Sequence, residues 1–363
     1  MPALQALLKQ IAEEHRPLTR EEARNALHLI LTADPDSTLS SDTDLEIAAL
    51  LAAIAVRGET VDELTGFAEA MRSLSIPIPI TASERAALVD TCGTGGDGLG
   101  TFNISTGAAL VAAAAGARVA KHGNRGVTSK CGSADVLEAL GVPVALTPQQ
   151  SADCLRATGF TFLYAPALHP AMMRVQPIRR ALGFRTIFNL AGPLTNPAGA
   201  PAQIMGVYSP AKLEIAAGAM ARLGIRFGRV VHARNGIDEI ALSPTDTILI
   251  RPLSDHDAPH PLPILVNPED AGLPPAGLSE LQGGDTPQQN AAILESILDG
   301  TEIGPKRDVV LLNAAAALEA VGIASDLKEG VDHAADAIDS GAATRILNAL
   351  REFGRSTRTI VVS

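Results

Sequence analysis

Tryptophan is absent from this 363-residue sequence, tyrosine occurs twice and phenylalanine eight times. The core must therefore be built from Ala, Leu, Val and Ile, and the composition argues against sequence-specific binding of single-stranded nucleic acid by stacked aromatics. Cysteine is scarce: Cys92, Cys131 and Cys154 are odd in number and lack metal-ligand spacing. That argues for a reducing compartment and against a disulfide scaffold or a structural zinc site. Long apolar runs are missing too; residues 107–117 are mostly alanine and fall short of the ~20 residues a bilayer span needs. The first residues reach Lys9, Glu13 and Glu14 without a secretory apolar core, so a cytoplasmic protein is expected. No Gly-Lys dipeptide occurs, which excludes a Walker-type phosphate loop.

What is present is a globular composition, 46% hydrophobic and 19% charged, with a net charge of −11 that repels nucleic acid and anionic membrane. The acids are unevenly spread. Residues 98–134 and 154–213 contain no Asp or Glu, yet they carry Arg118, Lys121, Arg125, Lys130, Arg156, Arg174, Arg179, Arg180, Arg185 and Lys212. A basic pocket on an acidic protein suits a small, multiply charged anion.

The first ~85 residues read as helices. Thr19-Arg20-Glu21-Glu22 and Thr60-Val61-Asp62-Glu63 are capping boxes, residues 34–44 read as a loop, and residues 45–56 as a buried helix. Beyond Glu84 strands and helices alternate, which predicts an α/β fold with a mostly parallel sheet. Residues 87–90 form a strand, Ser105 or Thr106 caps a small-residue helix, and residues 118–121 return as a strand. Ser133 caps a helix closed by Gly141, and capping boxes recur at Thr147-Pro148-Gln149-Gln150 and Thr286-Pro287-Gln288-Gln289. Ser209-Pro210 opens another helix, residues 229–232 are a strand, and residues 308–321 and 327–338 are helices. Residues 252–275 are irregular or an edge strand, and residues 359–362 are strand-like.

Gly93-Thr94-Gly95-Gly96-Asp97-Gly98 matches the glycine spacing of a dinucleotide loop, but no helix opens at its last glycine and Arg118 stands where an acid is needed. What remains is a loop whose backbone N–H groups approach an anion closely, followed by hydroxyls at a helix N-terminus. The loop of residues 121–130 follows a strand and combines two Lys, an Arg, two Gly and two hydroxyls. Asp238 and Glu239 follow another strand; adjacent carboxylates there suit Mg²⁺, which completes its shell with phosphate oxygens and water.

Residues 92–106, 121–141, 165–195 and 236–239 together resemble the anthranilate phosphoribosyltransferase family, and the likeness covers nearly the whole chain. The resemblance implies a mostly parallel central sheet flanked by helices, of the type shared with nucleoside phosphorylases, with a smaller all-helical N-terminal domain. The helical domain would span residues 1–84, joined in space by part of 166–196, and the α/β donor-binding domain residues 85–363. It implies transfer of a phosphoribosyl group from 5-phosphoribosyl 1-diphosphate to the amine of anthranilate, two Mg²⁺ per subunit, and a homodimer with neither nucleic acid nor membrane as partner. The apolar residues 45–56 make the N-terminal helices the expected dimer contact. Gly93, Gly96, Asp97, Thr101, Asn103, Ile104, Ser105 and Thr106 match donor positions. So do Lys121, His122, Gly123, Asn124, Arg125, Gly126, Val127, Thr128, Ser129 and Ser133. Ser105, Asp238 and Glu239 match the metal positions. Gly93, Asn124 and Arg179 match the anthranilate positions, and His122, Pro166, His169 and Met172 the walls of its access channel. His122 is the one candidate for a general base. Departures are few: Thr128 stands where the family more often has serine, Cys131 precedes Gly132-Ser133, Ala233-Arg234-Asn235 replaces a glycine-containing spacer, and the loop of residues 34–44 is longer. Two rivals remain at this point. A nucleoside phosphorylase of the same fold would need a base-recognition set in place of the Arg179 region. A non-catalytic nucleic-acid-binding relative would need a long basic face, whereas the 266 residues outside the acid-free stretches carry 19 positive and 40 negative charges.

Overall fold

The computed structural model describes residues 2–33, 40–96, 98–126, 130–244, 247–250 and 263–360. Asp97, Val127, Thr128 and Ser129 lie outside the described residues, as do residues 34–39 of the first loop, 251–262 of the proline-rich stretch and 361–363.

The threonine-led signals act as read. Thr19 opens α2 (Arg20–Thr32), after α1 (Pro2–Ala12), and its hydroxyl accepts from the Glu22 N–H while Glu22 reaches back. Thr60 does the same for α4 (Val61–Ser73). Between them, α3 (Ser40–Arg57) starts earlier than expected: residues 40–44 form its first turn and not a loop. This helix is also not buried throughout. Ile47, Leu50, Leu51 and Ile54 are interior, but Leu45 and Val56 are 70% and 90% exposed, because they fall off the inward stripe of the helical period. A short α5 (Ala82–Ala86) leads into the α/β part.

Among the described residues, seven strands form one sheet in the order β3-β2-β1-β4-β5-β6-β7. They are β1 (Leu88–Gly93), β2 (Arg118–Gly123), β3 (Phe160–Tyr164), β4 (Ala202–Gly206), β5 (Phe227–Ala233), β6 (Thr247–Ile250) and β7 (Ile264–Val266). The first five are parallel, and the last two join through antiparallel pairings in which β6 alone is reversed, so the fold is α/β with a mostly parallel sheet. The connections carry α6 (Ile104–Ala114), α7 (Ser133–Ala139), α8 (Pro148–Thr158), α9 (Ala165–Leu168), α10 (Gln176–Leu182), α11 (Ile187–Ala191) and α12 (Leu213–Arg222). After the sheet come α13 (Pro287–Leu298), α14 (Pro305–Ala320), α15 (Leu327–Asp339) and α16 (Ala342–Ile360). Thr359 and Ile360 thus end a helix, not a strand, because α16 runs on to Ile360. Ser209 precedes a 3₁₀ turn at Pro210–Lys212 before α12 begins. The proline-rich stretch supplies the edge strand β7 and a 3₁₀ turn at Pro268–Ala271.

Alternate residues of the strands serve opposite faces. Ile204 and Val231 join the cluster built on α6 and α14, while Met205 and Val230 join the cluster shared with the N-terminal helices. That second cluster also takes Val175, Ile178, Ile187, Phe188, Leu190 and Leu194, so the connection from β3 to β4 packs against α2–α4. No helix among the described residues is long and apolar enough to cross a membrane.

Candidate active site

Parallel strands bring their carboxyl ends to one edge of the sheet, where α/β proteins gather ligands. β1 ends at Gly93 and β4 at Gly206, and both glycines are required by a close approach. A Cβ on Gly206 would lie 1.6 Å from the Asp238 carbonyl oxygen, and one on Gly93 would lie 2.5 Å from Asp238 Oδ2. Their bareness lets the turn after β5 press Asp238 and Glu239 into the strand ends.

These two carboxylates occupy N–H groups that the sequence reserved for an external anion. Asp238 Oδ2 accepts from the Gly95 N–H at 2.8 Å, and Glu239 Oε1 accepts from the Ser105 N–H at 3.1 Å. The helix α6 begins with Asn103 as its cap residue, ahead of the expected Ser105 or Thr106, and Asn103 spends its amide on the Cys131 carbonyl at 3.1 Å. Glu239 therefore does the capping from a distance of 134 residues in sequence. Burial first, and then the neighbouring Asp238, push the Glu239 carboxyl up to about 8, with Lys121 opposing. A dication would relieve that repulsion. Among the described residues no three His, Cys, Asp or Glu side chains converge on one point. Two carboxylates and the Ser105 hydroxyl suit Mg²⁺, which takes its other ligands from phosphate and water.

Lys121 is almost fully buried. Its ammonium donates to the Thr91 carbonyl and lies 3.4 Å from Ser105 Oγ. Burial lowers its pKa, and Asp90 is the largest opposing charge. Of the other donor candidates, Ile104 and Thr106 are interior and can offer backbone only. Thr101 bridges to Gln282, and Gly96 gives its carbonyl to Arg185. Ser133 is the first residue of α7 and not its cap. The side chain of Asp135 supplies the cap by accepting from Gly132 N–H and Gly126 N–H, both at 2.9 Å, while Ser133 Oγ donates to the Asn124 carbonyl at 3.2 Å.

The expectation of a basic pocket built on the two acid-free stretches needs correcting. Arg125 is gripped by Glu138 at 2.6 Å and Asp135 at 3.0 Å, and Lys130 pairs with Asp285. Arg156, Arg174 and Lys212 likewise meet Glu84, Asp44 and Glu59. Half of the ten cations are neutralised by acids that the chain brings from outside the acid-free stretches. Among the described residues, Lys121, Arg179 and Arg185 at the site have no such ion pair.

The acceptor candidates come together on the β3–β4 connection. Pro166 is half-buried in α9, and Met172 sits in a 3₁₀ turn at Pro170–Arg174. His169 is buried against His122 with ring centroids 5.1 Å apart. Burial holds His122 down at about 3 and His169 at about 4, so both are neutral. Arg179 in α10 is half-buried with its guanidinium 5.1 Å over the Phe188 ring, whereas Arg180 is exposed.

Sequence reasoning passed over three residues here. Arg185 stacks 4.4 Å over Tyr208 and donates to the Gly96 carbonyl, tying the connection to the glycine loop. Asp90 and Asn196 lie buried beneath the site. Asp90 did leave a signal, an acid inside an otherwise apolar strand; Asn196 left none.

The sequence profile of the "Glycosyl transferase family, a/b domain" matches residues 85–344, and that of the "Glycosyl transferase family, helical bundle domain" matches residues 5–75. The chain is 49% identical over 356 residues to the anthranilate phosphoribosyltransferase of Symbiobacterium thermophilum, covering 98% of this chain and 99% of that one. The crystal structure of the Thermus thermophilus anthranilate phosphoribosyltransferase superposes with a TM-score of 0.86 at 41% identity, covering 98% and 100% of the two chains. That of the Saccharomyces cerevisiae protein, in complex with PRPP and Mg, gives 0.87 at 27% identity, covering 98% of each.

Proposed function

The chain belongs to the anthranilate phosphoribosyltransferase family, and on that premise we propose how its residues divide the work of the reaction. The enzyme transfers the phosphoribosyl group of 5-phosphoribosyl 1-diphosphate to the amino group of anthranilate and releases diphosphate, the second step from chorismate to tryptophan. Magnesium is its metal.

An aromatic amine is a poor nucleophile, so the C–O bond to diphosphate lengthens first and positive charge gathers on the sugar carbon. Mg²⁺, which Asp238, Glu239 and Ser105 would hold as two ions, neutralises charge on the departing diphosphate. Lys121 adds a fixed positive charge beside the same groups, in a buried setting where it counts for more than in water. Gly93, Gly96, Thr101, Asn103, Ile104 and Thr106, with His122, Gly123, Asn124, Arg125, Gly126 and Ser133, would line the donor, and Asp97, Val127, Thr128 and Ser129 match further donor positions of the family. Arg179 holds the anthranilate carboxylate in a guanidinium fork, with Gly93 and Asn124 beside it. Pro166, His169 and Met172 form the approach. Holding the amine against the sugar carbon supplies the rest of the rate through orientation. A group held at about 3 is a weak base, so His122 serves this wall, and water takes the amine proton.

The observation that carries this reading is the junction of Asp238 and Glu239 with the glycine loop and the start of α6. A fluorescence assay of anthranilate consumption with and without Mg²⁺ tests it; no consumption with donor and metal present would refute it. A nucleoside phosphorylase would instead split nucleosides with phosphate, and a nucleic-acid-binding relative would show salt-dependent DNA binding.

We assign residues 1–84, with part of 166–196, to a helical unit and 85–363 to the donor-binding unit; the two family profiles, over residues 5–75 and 85–344, and the packing of Val175, Ile178, Ile187 and Phe188 with the N-terminal helices support this. A cytoplasmic homodimer meeting through the N-terminal helices accounts for Leu45 and Val56 standing exposed on α3. Sedimentation showing only particles of about 37 kDa, the mass of one chain, at micromolar concentration would overturn the dimer.

A further inference from the structure

Halfway along β1 and β2 the sheet changes what holds it together. The backbone register pairs Leu88 with Arg118 and Val89 with Val119 and stops there. By contrast, β1 stays in register with β4 up to Gly93 and Gly206, and β2 with β3 up to Gly123 and Tyr164. From Asp90 onward side chains join β1 to β2. The His122 N–H donates to Asp90 Oδ1 at 3.1 Å, and Asn196 Nδ2 donates both to Asp90 Oδ2 at 2.9 Å and to the Ala120 carbonyl at 2.8 Å. The Lys121 ammonium reaches the Thr91 carbonyl across the same seam.

A carboxylate with no exposure at the centre of a parallel sheet is costly, and a backbone ladder would do the joining without any charge. Its position explains what it adds. The strand that carries Asp90 runs into the glycine loop. The backbone it holds, at His122, lies next to Lys121 and just before Asn124. Asn196 closes the β3–β4 connection that carries His169 and Arg179. One carboxylate thus joins the ends of β1 and β2, which run into the two donor loops.

We infer that Asp90 and Asn196 are positioning residues for the transfer: together they set the spacing between the ends of β1 and β2, and so hold Lys121 and the two donor loops in the geometry the donor needs. This rests on the phosphoribosyl-transfer reading above.

The test compares the full-length wild type with Asp90→Asn, Asn196→Ser, the double variant and Thr158→Val. Thr158 is a buried hydroxyl bonded to the Cys154 and Phe160 carbonyls at the opposite end of β3, and reports ordinary loss of stability. Asp90→Asn keeps the shape but turns an amide N–H toward either the His122 N–H or the Asn196 amide. It should lower kcat/KM for the donor roughly 30-fold while the KM for anthranilate stays within about threefold. Asn196→Ser should act in the same direction, and the double variant should be much milder than the product of the two, because both act through one hydrogen-bonded unit. Calorimetry with donor and Mg²⁺ alone should show the same weakening. Thr158→Val should lower the melting temperature without separating the two substrates. The inference is overturned if donor binding and donor kcat/KM survive Asp90→Asn, or if both substrates weaken together as in Thr158→Val. Should Asp90→Asn not fold, Asn196→Ser carries the same expectation and the same refutation. A wild type that binds donor but does not consume anthranilate refutes the functional reading instead.

Discussion

The floor beneath the donor loops and the connection that carries the acceptor residues handle polarity in opposite ways. The floor packs Asp90, Lys121, Asp238 and Glu239 into one neighbourhood and meets them with hydrogen bonds: His122 N–H and Asn196 on Asp90, Gly95 N–H on Asp238, Ser105 N–H on Glu239. The acceptor side relies instead on neutral rings and unpaired guanidinium groups: His122 and His169 are buried and neutral, and Arg179 rests on Phe188 with no carboxylate beside it among the described residues. A ligand with many charges and its own metal needs a site whose own charges are fixed in place before it arrives. A small aromatic acid needs one cation and neutral walls, and a cation left unpaired keeps its full attraction for that ligand.

The hardest blow to this contrast falls on Glu239. Glu239→Gln should cut activity by roughly 100-fold or more, through the metal. The ligand-free melting temperature should stay the same or rise, because a repelling charge beside Asp238 is removed. Part of the activity should return at high Mg²⁺. An unchanged rate at limiting Mg²⁺ would mean that the two carboxylates belong to a structural turn.

On the acceptor side, Arg179→Ala should raise the KM for anthranilate about ten- to two-hundred-fold, the worth of a charge-assisted contact of about 1.5–3 kcal/mol, and leave donor binding alone. Arg180→Ala, one residue along and exposed, should do far less. Equal damage to donor binding from both would move Arg179 to the phosphate site and erase the contrast.

The neutral walls can be read through pH. His169 is held at about 4 in the folded chain against an ordinary 6.5, so below 6.5 the unfolded chain binds more protons than the folded one. Stability from this group is present above 6.5 and is lost as pH falls toward 4, at about 1.4 kcal/mol per pH unit. The difference in unfolding free energy between wild type and His169→Gln should show that slope. Parallel curves between about pH 7 and pH 4 would show that the imidazole is not buried in its neutral form.

The smallest effect lies away from both regions. Thr147→Ala removes the hydroxyl that caps α8 and should cost about 1 kcal/mol in chemical denaturation, with both KM values unchanged.

Much of this molecule was legible in short windows of sequence. Four threonine capping boxes, the strands 87–90, 118–121 and 229–232, and the helices 308–321 and 327–338 rest on neighbours a few residues apart, and all stand in the structure. The errors come where a distant partner takes over a local role. Glu239 caps α6 in place of its own hydroxyls, and Asp135 caps α7 in place of Ser133. Leu45 and Val56 look interior by composition and are exposed by phase.

The sequence alone determined the alternation of elements, the glycine loop and the clustering of basic residues, because periodicity, caps and composition act within one turn or one strand. Tertiary structure decided which charges remain active. Only folding brings Glu138 onto Arg125 and Asp285 onto Lys130, while leaving Lys121 beside Asp90 and Arg179 over a bare ring. Charge pairing depends on distance in space, falling off as its inverse, and a chain that crosses its own sheet several times makes that distance unreadable from residue number.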